Sequence, residues 1–313
     1  METLSPPLAP ALVVPVPPTP ETPVCASCHT PLAGPYCHAC GEKRLHRHDY
    51  ALKHFLEHTV DTVTHFDLRV LRDLWLQLRR PGFLAAEWLQ GRRVAHAPPV
   101  QLFLITNLLF YLVASVSHFS PFESKLTSHL HSTNGYRPFA NRLVLEHLRH
   151  MPNTHFQYTE FERHFNALAH SYSKSLVFLF IPLLLPPLWL LFWRQRRYFV
   201  EWIMVNTYLF AGILLLYAVV ALVSLSAFVV PALMPLFNND GLISLMMLLL
   251  TIGYTALFFN HVFPLEPTPR GWRRMPAVAW RWSKPVLYTA AFVVAMIAPY
   301  RFALFLVCYW AAS

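Results

Sequence analysis

VQLFLITNLLFYLVASVSHF, residues 100–119, contains no formally charged side chain, and the uncharged run around it extends from residue 94 to residue 122. Twenty helical residues rise about 30 Å, which is the thickness of the hydrocarbon core of a bilayer. The stretch reads as a transmembrane helix. Outward from it, residues 175–193, 202–239 and 241–265 are uncharged too, and 285–310 is interrupted only by Arg301. These runs predict five membrane helices near 100–118, 174–193, 202–228, 241–262 and 286–309. Pro182, Pro186 and Pro187 predict a kink in the second.

Composition agrees. The chain has 313 residues, 55% hydrophobic and 13% charged, whereas a soluble domain carries roughly a quarter charged residues. An ordinary soluble enzyme is thereby excluded. The formal charge is +9, but its distribution does not suit nucleic acid. Residues 1–99 hold ten Lys/Arg against nine Asp/Glu, which is no basic footprint. The excess sits in short loops instead: Arg194, Arg196 and Arg197 between helices two and three, then Arg270, Arg273, Arg274, Arg281 and Lys284 between four and five. The opposite loop, Pro231–Asp240, has no Lys or Arg. The positive-inside rule then predicts a cytoplasmic N-terminus and an external C-terminus. It makes 119–174 an external loop, expected to hold short helices, one of them opened by a Thr159–Glu162 capping box.

The N-terminal region is organised differently. Residues 1–24 contain eight prolines and read as a disordered tail rather than a secretory signal. Cys25-x2-Cys28, eight residues, then Cys37-x2-Cys40-Gly41 follows. Two C-x-x-C knuckles supply the tetrahedral four-sulfur shell preferred by structural Zn²⁺. So short a segment has no core of its own, so metal binding would supply its folding energy. A thioredoxin-type redox pair is the rival reading, but no βαβ pattern surrounds either knuckle.

Residues 49–80 read as an amphipathic helix with Leu52, Phe55, Leu56, Val63, Phe66, Val70, Leu74 and Leu78 on one side. Arg69 and Asp73 are expected to pair on its surface. Pro81-Gly82 ends this helix and opens a shorter one that Gly91 stops. Trp88 and the Arg92-Arg93 pair suit a membrane interface. The expected organisation is a tail (1–24), a zinc ribbon (25–44), cytoplasmic amphipathic or interfacial helices (45–97) and a transmembrane bundle (98–313).

Three segments occur in order: CASCHTPLAGPYCHACGEK, HFDLRVLRDLWLQLRRPG and EWLQGRRVAHAPPVQLFLITNLLFYL. Together they resemble a bacterial zinc-ribbon membrane-protein family called domain of unknown function 3667. The matching positions are the four cysteines, Tyr36, Gly41, His65, Asp67, Pro81, Gly82, Gly91, Arg92 and Pro99. The sequence departs from the family pattern at His29, where glycine is frequent, and at Trp202, Asn206 and Tyr208, where histidines are usual. The resemblance implies architecture and a bacterial inner-membrane location, and no known reaction.

Further candidates stand alone. His54, His58, Asp61 and His65 share one helical arc, which suits either a metal-binding or a solvated face. Arg301 is about 22 Å into the fifth helix, either buried against a partner or anionic group or snorkelling to headgroups. Glu201 favours the start of helix three. Asn107, Asn206, Asn260 and His261 suit contacts between helices. Trp189, Trp193, Tyr198, Trp202 and Trp310 suit an aromatic belt. No phosphate loop, nucleophile elbow or H-E-x-x-H helix occurs.

The sequence therefore describes an all-α integral membrane protein with about five transmembrane helices behind a small four-cysteine zinc ribbon and an amphipathic helix. Its expected cofactor is structural Zn²⁺. Its expected contacts are the lipid bilayer and a cytoplasmic protein recruited or sensed by the ribbon, with no nucleic acid. A non-enzymatic role is expected. The alternative is a transporter or channel built from the bundle, using Asn206 and Arg301.

Overall fold

The computed structural model describes residues 23–46, 49, 69–117, 119, 121–131, 135–149, 154–195, 197–226, 239–264 and 274–312. The chain divides into two units, Met1–Arg44 and Leu45–Ser313. Regular structure in the first is confined, among the described residues, to two isolated bridges, Val24 with Pro31 and Tyr36 with Lys43. The second is helical: α1 (Arg69–Arg79), α2 (Phe83–Leu89), α3 (Pro99–Ser117), α4 (Leu126–His131), α5 (Arg137–Arg149), α6 (Thr154–Leu176), α7 (Phe180–Leu183), α8 (Leu185–Phe192), α9 (Phe199–Ser226), α10 (Asp240–Val262), α11 (Arg274–Ala295) and α12 (Arg301–Ala312).

Among the described residues, five helical stretches are long and apolar enough to cross a membrane: Pro99–Ser117, Tyr158–Gln195, Phe199–Ser226, Gly241–Val262 and Trp282–Ala312. The chain is thus a multi-pass membrane protein in contact with a bilayer. Four of these stretches lie close to the expected positions. The second is longer, at 38 residues, or about 57 Å of helix. The polar helix α6 runs without interruption towards the apolar segment, so only α4 and α5 of the 119–174 region are short. Thr159 lies inside α6 and does not cap it, which corrects the expected capping box.

The central helix is α9, buried along most of its length because other elements surround it. It packs along α3 and also meets α1, α2, α7, α8 and α10. An aromatic cluster fills the space between spans one, two, three and five. Phe180 stacks on Tyr300 with ring centroids 4.7 Å apart and lies 5.3 Å from both Phe210 and Phe292. Phe103 approaches Phe210 at 5.9 Å. Each such ring pair stabilises the packing beyond the area it buries.

The second span is broken, as its prolines predict. A 3-10 turn at Val177–Leu179 precedes α7, and Leu184 separates α7 from α8. Carbonyls at such a break need other donors in an apolar medium. Asn206 on α9 supplies one, donating Nδ2 to the Ile181 carbonyl at 2.8 Å.

The face of α1 differs from expectation. Val70, Asp73 and Gln77 are buried, whereas Leu71 and Trp75 are each 61% exposed. Arg69 and Asp73 therefore do not form a surface pair. A polar stripe can turn inward here because the segment ahead of α3 and helix α9 offer it hydrogen-bonding groups. Trp202 is also buried, 6.1 Å from the Phe263 ring, and is no belt residue; Trp189, Trp193, Tyr198 and Trp310 are exposed. Trp88 is likewise buried and lies beneath the Arg93 guanidinium at 3.7 Å.

Candidate functional site

The four cysteines of the first unit come together through two nearly identical turns. The Cys25 amide donates to the Thr30 carbonyl at 2.9 Å and the His29 amide to the Cys25 carbonyl at 3.0 Å. Twelve residues on, Cys37 donates to Glu42 at 2.8 Å and Gly41 to Cys37 at 2.9 Å. Leu32 to Pro23 and Arg44 to Pro35 continue the correspondence. This is an internal repeat that residue identities hide. Both turns need a left-handed residue after the second cysteine, supplied by His29 (φ 59°) and Gly41 (φ 77°). A Cβ is disfavoured there.

These turns bring one Sγ atom from each of Cys25, Cys28, Cys37 and Cys40 within 4.8 Å of one another. Cys25 lies 3.5 Å from Cys40, and Cys28 lies 3.5 Å from Cys37. A tetrahedral ion with sulfur ligands at about 2.3 Å separates them by about 3.8 Å. The spacing fits a metal ion, and all four cysteines are free thiols. Cys25 and Cys37 are buried and Cys28 is exposed. The Thr30 hydroxyl, 3.2 Å from Cys28 Sγ, and the Thr30 backbone hold the Cys28 thiol below its ordinary value, whereas, against the Glu42 backbone, burial and the neighbouring thiols push Cys40 up. Thiolate is the ligand form.

A second polar cluster ties α1 to the segment ahead of α3. Asp73 is fully buried. Its Oδ2 accepts the Ala97 amide at 2.6 Å, and its Oδ1 accepts Nε and a terminal nitrogen of Arg72 at 3.1 and 3.0 Å. His96 Nδ1 lies 3.1 Å from the same oxygen. Burial pushes the Asp73 carboxyl upward, but His96, the Ala97 amide and Arg72 together hold it below the ordinary carboxylate value. Arg69 and Arg72 further donate to the Val94 and Ala95 carbonyls.

One helical turn on, Gln77 Nε2 donates to the Tyr208 carbonyl at 2.5 Å, and the Gln77 carbonyl accepts the Tyr254 hydroxyl at 3.1 Å. The Tyr208 hydroxyl donates to the Ala97 carbonyl at 3.1 Å. This approach requires Gly212, where a Cβ would overlap the Tyr254 hydroxyl and lie 2.8 Å from Gln77 Nε2. Similarly, Gly82 (φ 83°) brings the start of α2 against α10, where a Cβ would lie 2.5 Å from the Phe258 carbonyl oxygen. The Asp73–Gln77 cluster was not anticipated; its signal was a carboxylate and an amide at helical spacing from Val70.

The remaining candidates have separate environments. Glu201, in the first turn of α9, accepts the Tyr198 amide at 2.9 Å and lies 3.9 Å from Arg197, so it caps the helix. Asn206 joins spans two, three and five, because its Oδ1 also accepts the Tyr288 hydroxyl at 2.5 Å. Asn107 donates to the Lys174 carbonyl at 3.3 Å. His261 is exposed beside Phe83. Arg92 pairs with Glu87. Arg301 is half-buried and directly follows a π turn at Met296–Tyr300. His65 and Asp67, with His54, His58 and Asp61, lie outside the described residues.

No curated protein matches the chain, and no solved structure does. Residues 67–111, the segment holding Asp73, Gln77 and the first part of the first span, match the family described as "Protein of unknown function (DUF3667)", which is the family that the sequence motifs indicate.

Proposed function

We propose that this is a non-enzymatic membrane protein of the bacterial inner membrane whose Cys25–Cys28–Cys37–Cys40 centre holds a structural zinc ion and recruits or senses a cytoplasmic protein. The carrying observation is the convergence of four thiols from two equivalent turns, in a segment whose regular structure among the described residues is two isolated bridges. Zinc would serve there as a cross-link between the turns. The five spans anchor this module, with the N-terminus cytoplasmic and the C-terminus external by the positive-inside rule. The 69–79 helix suits the membrane surface, since Leu71 and Trp75 are exposed beside the exposed Arg72 and Arg79. The aromatic cluster between the spans gives this reading more support than the transport alternative.

The test is partner capture by cross-linking and affinity purification of the full-length protein from its own membranes. Wild type and a Cys25→Ser/Cys28→Ser variant are compared at equal membrane abundance. Recruitment predicts a partner that is lost in the variant. Identical partner sets contradict it. Labelling of Cys28 in inverted vesicles, but not in intact spheroplasts, is the expected topology result.

A further inference from the structure

At the end of the bundle where α3 finishes, α4, α5, α6 and α12 pack together. His129 on α4 is completely buried there, its ring 5.5 Å from Phe305 and 5.7 Å from Phe165. Nδ1 lies 2.7 Å from the Tyr136 hydroxyl. Nε2 is buried and has no hydrogen-bond partner among the described residues, and the same holds for the hydroxyl of Ser124, itself 5% exposed. Such buried atoms are few in folded proteins and costly when unmatched.

Arg301 is aimed at the same region. On either side of it, the Tyr300 hydroxyl donates to the Phe122 carbonyl at 3.0 Å and the Phe302 ring lies 5.3 Å from Tyr136. Phe305, which touches His129, is one turn on from Arg301 and about 40° away around the helix. Arg301 therefore lies on the face of α12 turned towards Phe122, His129 and Tyr136. It makes no ion pair with the described residues; the nearby Glu123 is engaged by His170 at 3.0 Å. Tyr300 also donates to the Ser173 carbonyl at 3.4 Å, which sets Arg301 level with the last polar turn of α6 before its apolar run begins. Lipid headgroups lie at such a boundary. Burial first, and then the Arg301 charge, brings the His129 imidazole down to about 4, while the Ser124 backbone acts the other way. At neutral pH His129 is thus uncharged and can donate through one nitrogen.

We propose that Arg301, with His129 Nε2 and Ser124 Oγ behind it, forms a binding site for a phosphate group, carried by a lipid head or free in solution. The guanidinium offers a forked pair of donors to two phosphate oxygens. The imidazole and the hydroxyl supply neutral donors, and the neighbouring carboxylate, Glu123, is taken up by His170 at 3.0 Å.

The test uses the full-length protein in phosphatidylcholine nanodiscs, with or without phosphatidylglycerol. Native mass spectrometry reads retained phosphatidylglycerol, and equilibrium dialysis of radiolabelled inorganic phosphate reads the free anion. Whichever source binds, Arg301→Gln should weaken it about tenfold or more, and Ser124→Ala by a smaller factor. Arg301→Lys, which keeps the charge and loses the fork, should fall between and covers the case of a poorly folded glutamine variant. Retained phosphatidylglycerol alone assigns a lipid ligand, and phosphate binding in the neutral discs assigns a soluble one. Neither ligand bound by wild type, or binding unchanged in Arg301→Gln and Arg301→Lys, would overturn the proposal.

Discussion

Asp73→Ala should detach the segment ahead of α3 from α1. The carboxylate is fully buried and is the acceptor for the Ala97 amide at 2.6 Å and for two Arg72 bonds. Without it, a buried amide loses its acceptor, at about 1–3 kcal/mol. The Arg72 side chain is 51% exposed, so its guanidinium returns to water and adds only about 1 kcal/mol. The sum is about 3 kcal/mol, or a fall of about 9 °C in melting temperature for a large domain. Asp73→Asn retains an acceptor for Ala97 and should lose about half as much. Thermal unfolding in detergent measures the first quantity, and hydrogen exchange of the Ala97 amide localises it.

The same substitution has a pH signature. The folded Asp73 carboxyl titrates below its ordinary value, so its contribution is present above pH about 4 and disappears as pH falls through the lower folded value. The gap between wild type and Asp73→Asn should narrow in acid, as pH falls through the folded Asp73 value. An Asp73→Ala protein that melts with wild type and keeps the Ala97 amide protected would refute the reasoning.

Two further pairs of variants probe backbone and packing. His29→Gly removes a side chain from a left-handed residue (φ 59°). It should add about 1 kcal/mol to the module, or about fivefold in zinc affinity by competition with a chromophoric chelator. Gly41→Ala should cost a similar amount although the space around it is open, because the penalty lies in φ. Gly212→Ala should lower the melting temperature by several degrees, since the methyl group displaces Tyr254 and Gln77 and overpacking costs about 1–3 kcal/mol. Gly253→Ala, with nothing within 4 Å of its Cβ, should be neutral or slightly stabilising, as alanine favours a helix.

The spans were legible because a bilayer imposes a minimum apolar length, and five runs meet it. The proline break was legible because Pro182, Pro186 and Pro187 cannot donate to the helix. The cysteine centre was legible from spacing, although the twelve-residue repeat was not. It lies in backbone hydrogen bonds and in the shared left-handed position, where His29 stands against Gly41. The inner face of α1 was misread because hydrophobic periodicity assigns polar residues outward. Asp73 and Gln77 instead find backbone partners at Ala97 and Tyr208, many residues away. Trp202 likewise lies near a span end, where tryptophan favours lipid headgroups, yet packing against Phe263 buries it. Thr159 and Glu162 have the spacing of a cap, but helix α6 already begins at Thr154, so local signals were overruled by a longer helix.

The central claim is a zinc-bound cysteine centre on a membrane anchor. Metal analysis of the full-length protein, purified in detergent under reducing conditions at neutral pH, tests it most directly. The account predicts one zinc ion per chain, lost in Cys25→Ser/Cys28→Ser while the bundle keeps its helical content and melting temperature. Wild-type protein free of zinc and unable to take it up from buffered solution, or a cysteine variant that retains the metal, would contradict it.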